Sequence, residues 1–295
     1  MYPRKITNNL WILGHDDFHI YLIQGNSACA LVEVGISATS DLVLEQLALL
    51  KVEPDFFIVT HPHSDHVTGL GSLRKSFPDA TILAGQGAEA FLHHPKSTEI
   101  LLREDLFMAK AMAPRGLFST KTWTADLPLL SGCKVVRTDD ELALGGITCR
   151  FLEVKGHSPG QIVAYVPEIK ALLVSDSLGN LYPGKGFFPT FFTGYSDYLA
   201  TIDKLAGMDP QILGLGHHGL FCNHLDIENL FGLARQAALD VKNYVLNDNR
   251  DANAIAQDLF HFYYCDELAV YSKENIMNCC RLLVRRVREI PGSPV

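Results

Sequence analysis

His61-Pro62-His63-Ser64-Asp65-His66 sets three histidines and one aspartate within six residues. Imidazole nitrogens and a carboxylate oxygen at this density suit zinc, iron or manganese, which accept mixed nitrogen and oxygen donors. The competing reading is a polar loop whose histidines never meet. What precedes the run favours ligands. Phe56 to Val59 is an uninterrupted apolar strand signal, and layered α/β domains hold their binding residues just beyond such strand ends.

Outward from that run, short strand patterns occupy Leu10 to Leu13, His19 to Gln24 and Ala28 to Val34, and a helix is predicted over Ser40 to Leu50. From Gln86 to Met112 the period turns helical through Ala88, Phe91, Leu92, Ile100, Leu101 and Leu106, until Pro114-Arg115-Gly116 breaks it. This predicts a helical insertion over one edge of the site, about 86–113. Strand patterns return at Lys134 to Arg137, Ile147 to Val154, Gln161 to Val166 and Ala171 to Val174. Beyond Gly219 the apolar residues Ile227, Leu230, Phe231, Ala234, Ala238, Val241 and Val245 recur at helical steps. Ile255, Leu259 and Phe262 repeat the pattern, as do Ile276, Cys279, Cys280, Leu283 and Val287 behind Ser272 as N-cap. The expected division is a catalytic domain over 1–221 and a C-terminal helical extension over 222–295 that caps the site.

Three further ligand candidates sit in loops after apolar runs: His157 in Lys155-Gly156-His157-Ser158-Pro159-Gly160, Asp176 in Ser175-Asp176-Ser177, and His217-His218 in Leu215-Gly216-His217-His218-Gly219. With these in order after the first run, the chain resembles the metallo-β-lactamase superfamily, whose motifs are HxHxDH, a later Gly-His-Ser/Thr-Pro-Gly, an Asp, and a final His preceded by Gly. The resemblance implies an αββα sandwich of the α/β class. It also implies a dinuclear centre in which His61, His63 and His157 hold one metal, Asp65, His66 and His217 hold the second, and Asp176 bridges them. His217 is preferred to His218 because it follows Gly216 as the family's histidine follows its glycine, and His218 then lines the site. Within the superfamily the Ala30-Leu31-Val32-Glu33-Val34-Gly35 stretch and the helical tail look most like glyoxalase II and the quinolone-signal response thioesterase. Glu33 stands where many relatives carry an Asp that supports the metal loop. Support of the ligands and plain solvent exposure are both open for it.

The composition narrows the partners. With 295 residues, 47% of them hydrophobic, the chain can bury a sizeable core. Its net charge of -8 offers no field for a polyanion, so no nucleic acid is expected. Seven cysteines without CxxC spacing read as reduced thiols of a cytoplasmic protein. No apolar run reaches the ~18 residues of a membrane helix, and no signal-peptide pattern opens the chain.

The resemblance implies a hydrolase acting on a small-molecule acyl substrate, with two divalent ions, zinc first and iron or manganese also admitted. Two such ions activate a hydroxide and polarise a carbonyl, and Asp65 orients the nucleophile or passes a proton to the leaving group. A thiol leaves with little assistance, so thioesters, esters and lactones are the expected substrates. The helical extension favours a closed pocket, for which Tyr195, Phe191, Phe192 and Phe187-Phe188 are lining candidates against ordinary core packing. His93, His94, His224 and His261 are read as surface or core histidines. Two rivals share the ligand pattern: a regulatory or interaction protein with a retained metal site, and a mononuclear-iron dioxygenase.

Overall fold

The computed structural model describes residues 2–115, 130–182 and 184–291, so Gly116 of the expected break falls outside the described residues. The first half gives strands β1 (Arg4–Lys5), β2 (Leu10–His15), β3 (Phe18–Gln24) and β4 (Cys29–Val32), helix α1 (Ser40–Leu50), β5 (Phe56–Val59), α2 (Ser64–Val67), α3 (Leu70–Ser76), β6 (Thr81–Gly85), α4 (Ala88–Leu92), α5 (Pro95–Met112) and β7 (Lys134–Val136). The second gives β8 (Glu141–Ala143), β9 (Thr148–Glu153), β10 (Ile162–Val166), β11 (Ala171–Ser175), the hairpin β12 (Asn180–Tyr182) and β13 (Gly186–Phe188), α6 (Tyr195–Ala206), β14 (Ile212–Leu215) and β15 (Leu220–Phe221). Three helices follow: α7 (His224–Leu246), α8 (Ala252–Tyr263) and α9 (Lys273–Arg288).

One sheet runs β1-β2-β3-β4-β5-β6-β7 and the other β15-β14-β11-β10-β9-β8. The strands alternate faces, and this alternation builds the layers. Tyr21 and Ile23 of β3 meet Ala171 and Leu173 of β11 in the core between the sheets, while Ile20 and Leu22 point outward to Val43, Leu47, Leu70 and Leu73 of α1 and α3. On the far side Leu172 and Val174 pack with Ile202 of α6 and with Ile227, Phe231 and Val284 of α7 and α9. The order is helix, sheet, sheet, helix, the expected αββα sandwich with C-terminal helices present. No helix among the described residues is long and apolar enough to cross a membrane.

Two local expectations need correction. The strand predicted to Val34 ends at Val32, because Glu33 (φ 73°) and Gly35 (φ 66°) both adopt left-handed backbone. The helical stretch from Gln86 is two helices, divided at His93-His94, with Pro95 opening α5. Ser272 does cap α9, its hydroxyl accepting from the Asn275 N–H at 3.1 Å.

Candidate metal centre

Every loop that carries a ligand candidate emerges at the same edge of the two sheets. After β5 the chain reaches His63 in extended backbone (φ -81°, ψ 157°), and its Nδ1 lies 3.1 Å from His61 Nε2. The turn of α2 then swings Asp65 and His66 round beside them. His157 arrives from the β9–β10 loop, Asp176 from the end of β11 and His217 from the end of β14. Gly216 lets β14 come this close, since a Cβ there would lie 2.8 Å from Asp176 Oδ1 and 3.0 Å from His66 Cε1.

Two donor sets result. His61 Nε2, His63 Nδ1 and His157 Nε2 lie 3.1–3.2 Å apart. Four donors at about 2.05 Å around a tetrahedral zinc ion have edges of about 3.3 Å, so this spacing matches a coordination shell. In the second set His66 Nε2 and His217 Nε2 are 3.2 Å apart, and each lies 3.4 Å from Asp65 Oδ2. Asp176 faces both sets, with Oδ1 3.3 Å from His217 and Oδ2 3.7 Å from His157. Asp176 Oδ1 is buried without a hydrogen-bond partner, an orphaned acceptor that a bound cation would satisfy. The donors therefore fit the divalent ions that the sequence implies.

The far nitrogens of the rings are held by an outer layer. His157 Nδ1 faces the Thr190 carbonyl at 3.0 Å, His217 Nδ1 the Asp17 carbonyl, and His66 Nδ1 the Glu33 carboxylate at 3.0 Å. Thr60 donates to Glu33 at 2.7 Å and lies 3.1 Å from His61 Nδ1. Such contacts fix the tautomer and aim of a ligand ring. Glu33 is 1% exposed, which removes its solvent-facing alternative and places it behind His66.

Burial and charge divide the cluster. Burial, joined by the neighbouring imidazoles, pushes His61 well below the ordinary imidazole range and His63 down to about 3. Burial would lower His66 as well, but Glu33, Asp65 and Asp176 hold it well above that range. The same contest, won by Asp176 and Asp65, raises His217 to about 10. Burial opposes ionisation of Asp65 and Asp176, and His66 and His217 outweigh it, keeping both carboxyls far below their usual values.

His218 turns the other way, with Nε2 3.9 Å from Asp17 Oδ1. His93, His94, His224 and His261 are exposed and belong to no donor group. Of the aromatic candidates, Phe188 and Phe192 line the pocket above the donors. Phe187, Phe191 and Tyr195 pack into the core beneath the second sheet instead.

That pocket encloses about 440 Å³. Its floor is His63, Asp65, His157 and Asp176. Its cover is Ser97, Ile100, Leu101 and Glu104 of α5 with Asn275, Ile276, Cys279, Leu282 and Arg286 of α9. Two adjacent carboxylates of α5 fasten the cover, one to the loops beneath it and the other across to α9. Asp105 accepts hydrogen bonds from the Ser37 N–H at 3.0 Å and from the Thr68 hydroxyl just past α2. Glu104 accepts from the Ser272 hydroxyl at 2.8 Å and the Ser272 N–H at 3.4 Å at the head of α9. Tyr271, beside Ser272, reaches the floor and donates to Asp65 Oδ2 at 2.8 Å. Burial, with Asp65 and Asp176 nearby, holds its phenol well above the usual range. None of Glu104, Asp105 or Tyr271 carries a sequence signal of its role, because each acts across long separations, 206 residues for Tyr271 and Asp65.

A sequence profile of the metallo-beta-lactamase superfamily matches residues 19–217. A hydroxyacylglutathione hydrolase of Ruegeria pomeroyi is 27% identical over 189 residues, which span 62% of this chain and 57% of that relative. One from Aeromonas hydrophila is 34% identical over 79 residues, 27% of this chain and 30% of the relative. The chain thus matches 57% of the length of the first of these curated relatives and 30% of the second. Among solved structures, a beta-lactamase domain protein from Burkholderia ambifaria superposes with a TM-score of 0.70 at 14% identity, covering 99% of this chain and 90% of that one. A metallo-beta-lactamase superfamily protein of Sulfolobus tokodaii gives 0.62 at 17% identity, covering 96% of this chain and 100% of that one.

Proposed function

This chain belongs to the metallo-beta-lactamase superfamily, and from that premise we propose that it is a metal-dependent hydrolase of small thioesters, esters or lactones. The observation that carries the reading is Asp176, whose two oxygens face two separate donor sets across distances of 3.3 and 3.7 Å. His61, His63 and His157 would hold one divalent ion, Asp65, His66 and His217 the other, and Asp176 both. Zinc is the first expectation from the spacing, and the same donors accept iron or manganese. When bound, the ions supply a hydroxide nucleophile near neutral pH and polarise the carbonyl.

The rest falls to the chain's own groups. Asp65, held by Tyr271 on one side and facing the pocket, is placed to orient the nucleophile and to carry a proton toward the leaving group. A thiol leaving group, with a pKa of about 8.5, needs little of that help. The name of the curated relatives, hydroxyacylglutathione hydrolase, supports an acyl group carried on a thiol. A volume of about 440 Å³ suits a small molecule, and Ile100 and Leu101 of α5 with Ile276 and Leu282 of α9 make its upper walls apolar. Arg286 is the one Arg or Lys among the described lining residues. Its guanidinium already donates to the Phe192 carbonyl and to Glu289. Cys279 also lines the pocket, but burial pushes its thiol far above the ordinary range, so it offers no thiolate nucleophile.

Metal-loaded protein assayed on a panel of thioesters, esters and lactones tests this reading. Hydrolysis of at least one class, abolished by chelation and restored by zinc, is the expected result. A protein carrying its metals yet inert across the panel would sink it.

A further inference from the structure

Helices α7 and α8 enclose a second cavity of about 330 Å³, and none of its lining residues lines the pocket above the metal centre. Val241, Leu259 and Tyr263 form its floor, and Tyr244 and Phe262 form its rim with Asp240 and Asp258. Each helix contributes the same pair, a carboxylate one turn ahead of an aromatic ring: Asp240 and Tyr244 on α7, Asp258 and Phe262 on α8. Phe262 is 77% exposed and Tyr244 39%, so two large rings stand in water beside an apolar floor. The Phe262 ring meets that of Tyr263 at 86°, with centroids 4.9 Å apart, and the two form a corner.

The charges of the rim are unequal. Arg250 neutralises Asp258, its guanidinium donating to that carboxylate and to the Tyr244 hydroxyl at 3.3 Å. Asp240 accepts from the neutral Gln236 amide at 2.7 Å. The nearby Lys242 is turned to another ring, its Nζ 5.6 Å from the centre of Tyr195. Among the described residues, no cationic side chain pairs with Asp240.

We infer that this cavity is a binding site for a small N-alkylated ammonium ion, with its charged head among Tyr244, Phe262 and Tyr263 beside Asp240 and its carbon chain on Val241 and Leu259. Aromatic faces carry negative potential and attract a cation lying within about 6 Å of their centroids. The uncompensated carboxylate adds to that attraction and repels an anion. A metal ion or a bare primary ammonium holds its water too firmly for so apolar a floor. N-methyl groups spread the charge and gain from leaving water. The volume is that of a small-molecule site.

Choline and dimethylbutanol, the neutral alcohol in which carbon replaces its nitrogen, differ in charge and hardly in shape. NMR titration of the full chain with each, at low salt, tests the inference. Choline should bind about tenfold more tightly than the alcohol. Asp240→Asn should weaken choline about three- to fivefold, and Phe262→Ala, at an exposed position, by a similar factor. Equal binding of the two probes, or binding of neither, would overturn the site. Choline affinity unchanged in both variants would place the cation elsewhere and overturn it as well. Dimerisation of the native chain that Phe262→Ala abolishes, measured by sedimentation, would give the cavity to a second copy of the chain instead.

Discussion

His61, His63, Asp65 and His66 come from six consecutive residues, whereas the wall facing them is assembled from α5 and from Tyr271 to Arg286, two segments far apart in the sequence. The floor is polar, buried and tied to strand ends. The cover is mostly apolar, and Glu104 and Asp105 fasten it. A short motif can specify a floor, because a strand end and one helical turn fix four side chains together. A cover needs contacts that the chain reaches only once folded. Chemistry and substrate choice are therefore encoded in different ways, and substitutions in the two regions should fail differently.

The largest effect is expected on the floor. His63→Ala should leave the protein folded, lower its metal content and reduce hydrolysis to below about 1% of the native rate, measured by metal analysis beside the substrate panel. Native activity in that variant would dissolve the distinction. Next comes the pH dependence of metal uptake. His66 and His217 hold protons in the metal-free cluster, His217 up to about 10, and each must lose one to bind. Affinity should thus fall as pH falls, by up to about tenfold per unit for each proton released, with the protons detected in weakly buffered solution. Flat affinity between about pH 6 and 8 would contradict the charge assignment.

Glu33→Gln probes the layer behind the floor. Loss of the carboxylate facing His66 should weaken metal binding about 10- to 100-fold without touching the pocket. On the cover, Leu282→Ala should leave metal content unchanged and alter KM about tenfold for the bulkiest acyl group, with little change for the smallest. The smallest effect is Ser272→Ala, which removes the cap of α9 and a partner of Glu104. It should lower stability by about 1–3 kcal/mol in denaturant unfolding.

The same division explains what the sequence revealed. Strand β5, the ligand run and the loops at His157, Asp176 and His217 announce themselves by apolar runs that stop at polar ligands, and the αββα order follows from the resemblance those motifs carry. Helix α6 was not among the expected elements although Tyr195, Tyr198, Ile202 and Leu205 bury one face. Gly194 before it has no side-chain cap to signal a start. Glu33 reads equally as support or as surface until the left-handed backbone there turns its carboxylate under His66. Glu104 and Asp105 are ordinary residues of a helix and Tyr271 of the extended step before α9, and only the folded chain brings them to the site. Phe188 and Phe192 are distinguished from Phe187 and Phe191 by the direction of the hairpin and its following loop, which composition does not encode.

The central claim is that two donor sets joined by Asp176 hold two metal ions in one chain. Metal content of protein purified without added metal, compared between the native chain and Asp176→Ala, tests it most directly. The account predicts close to two divalent ions per native chain, with marked loss in the variant. A native chain carrying a single ion that survives removal of Asp176 would contradict it.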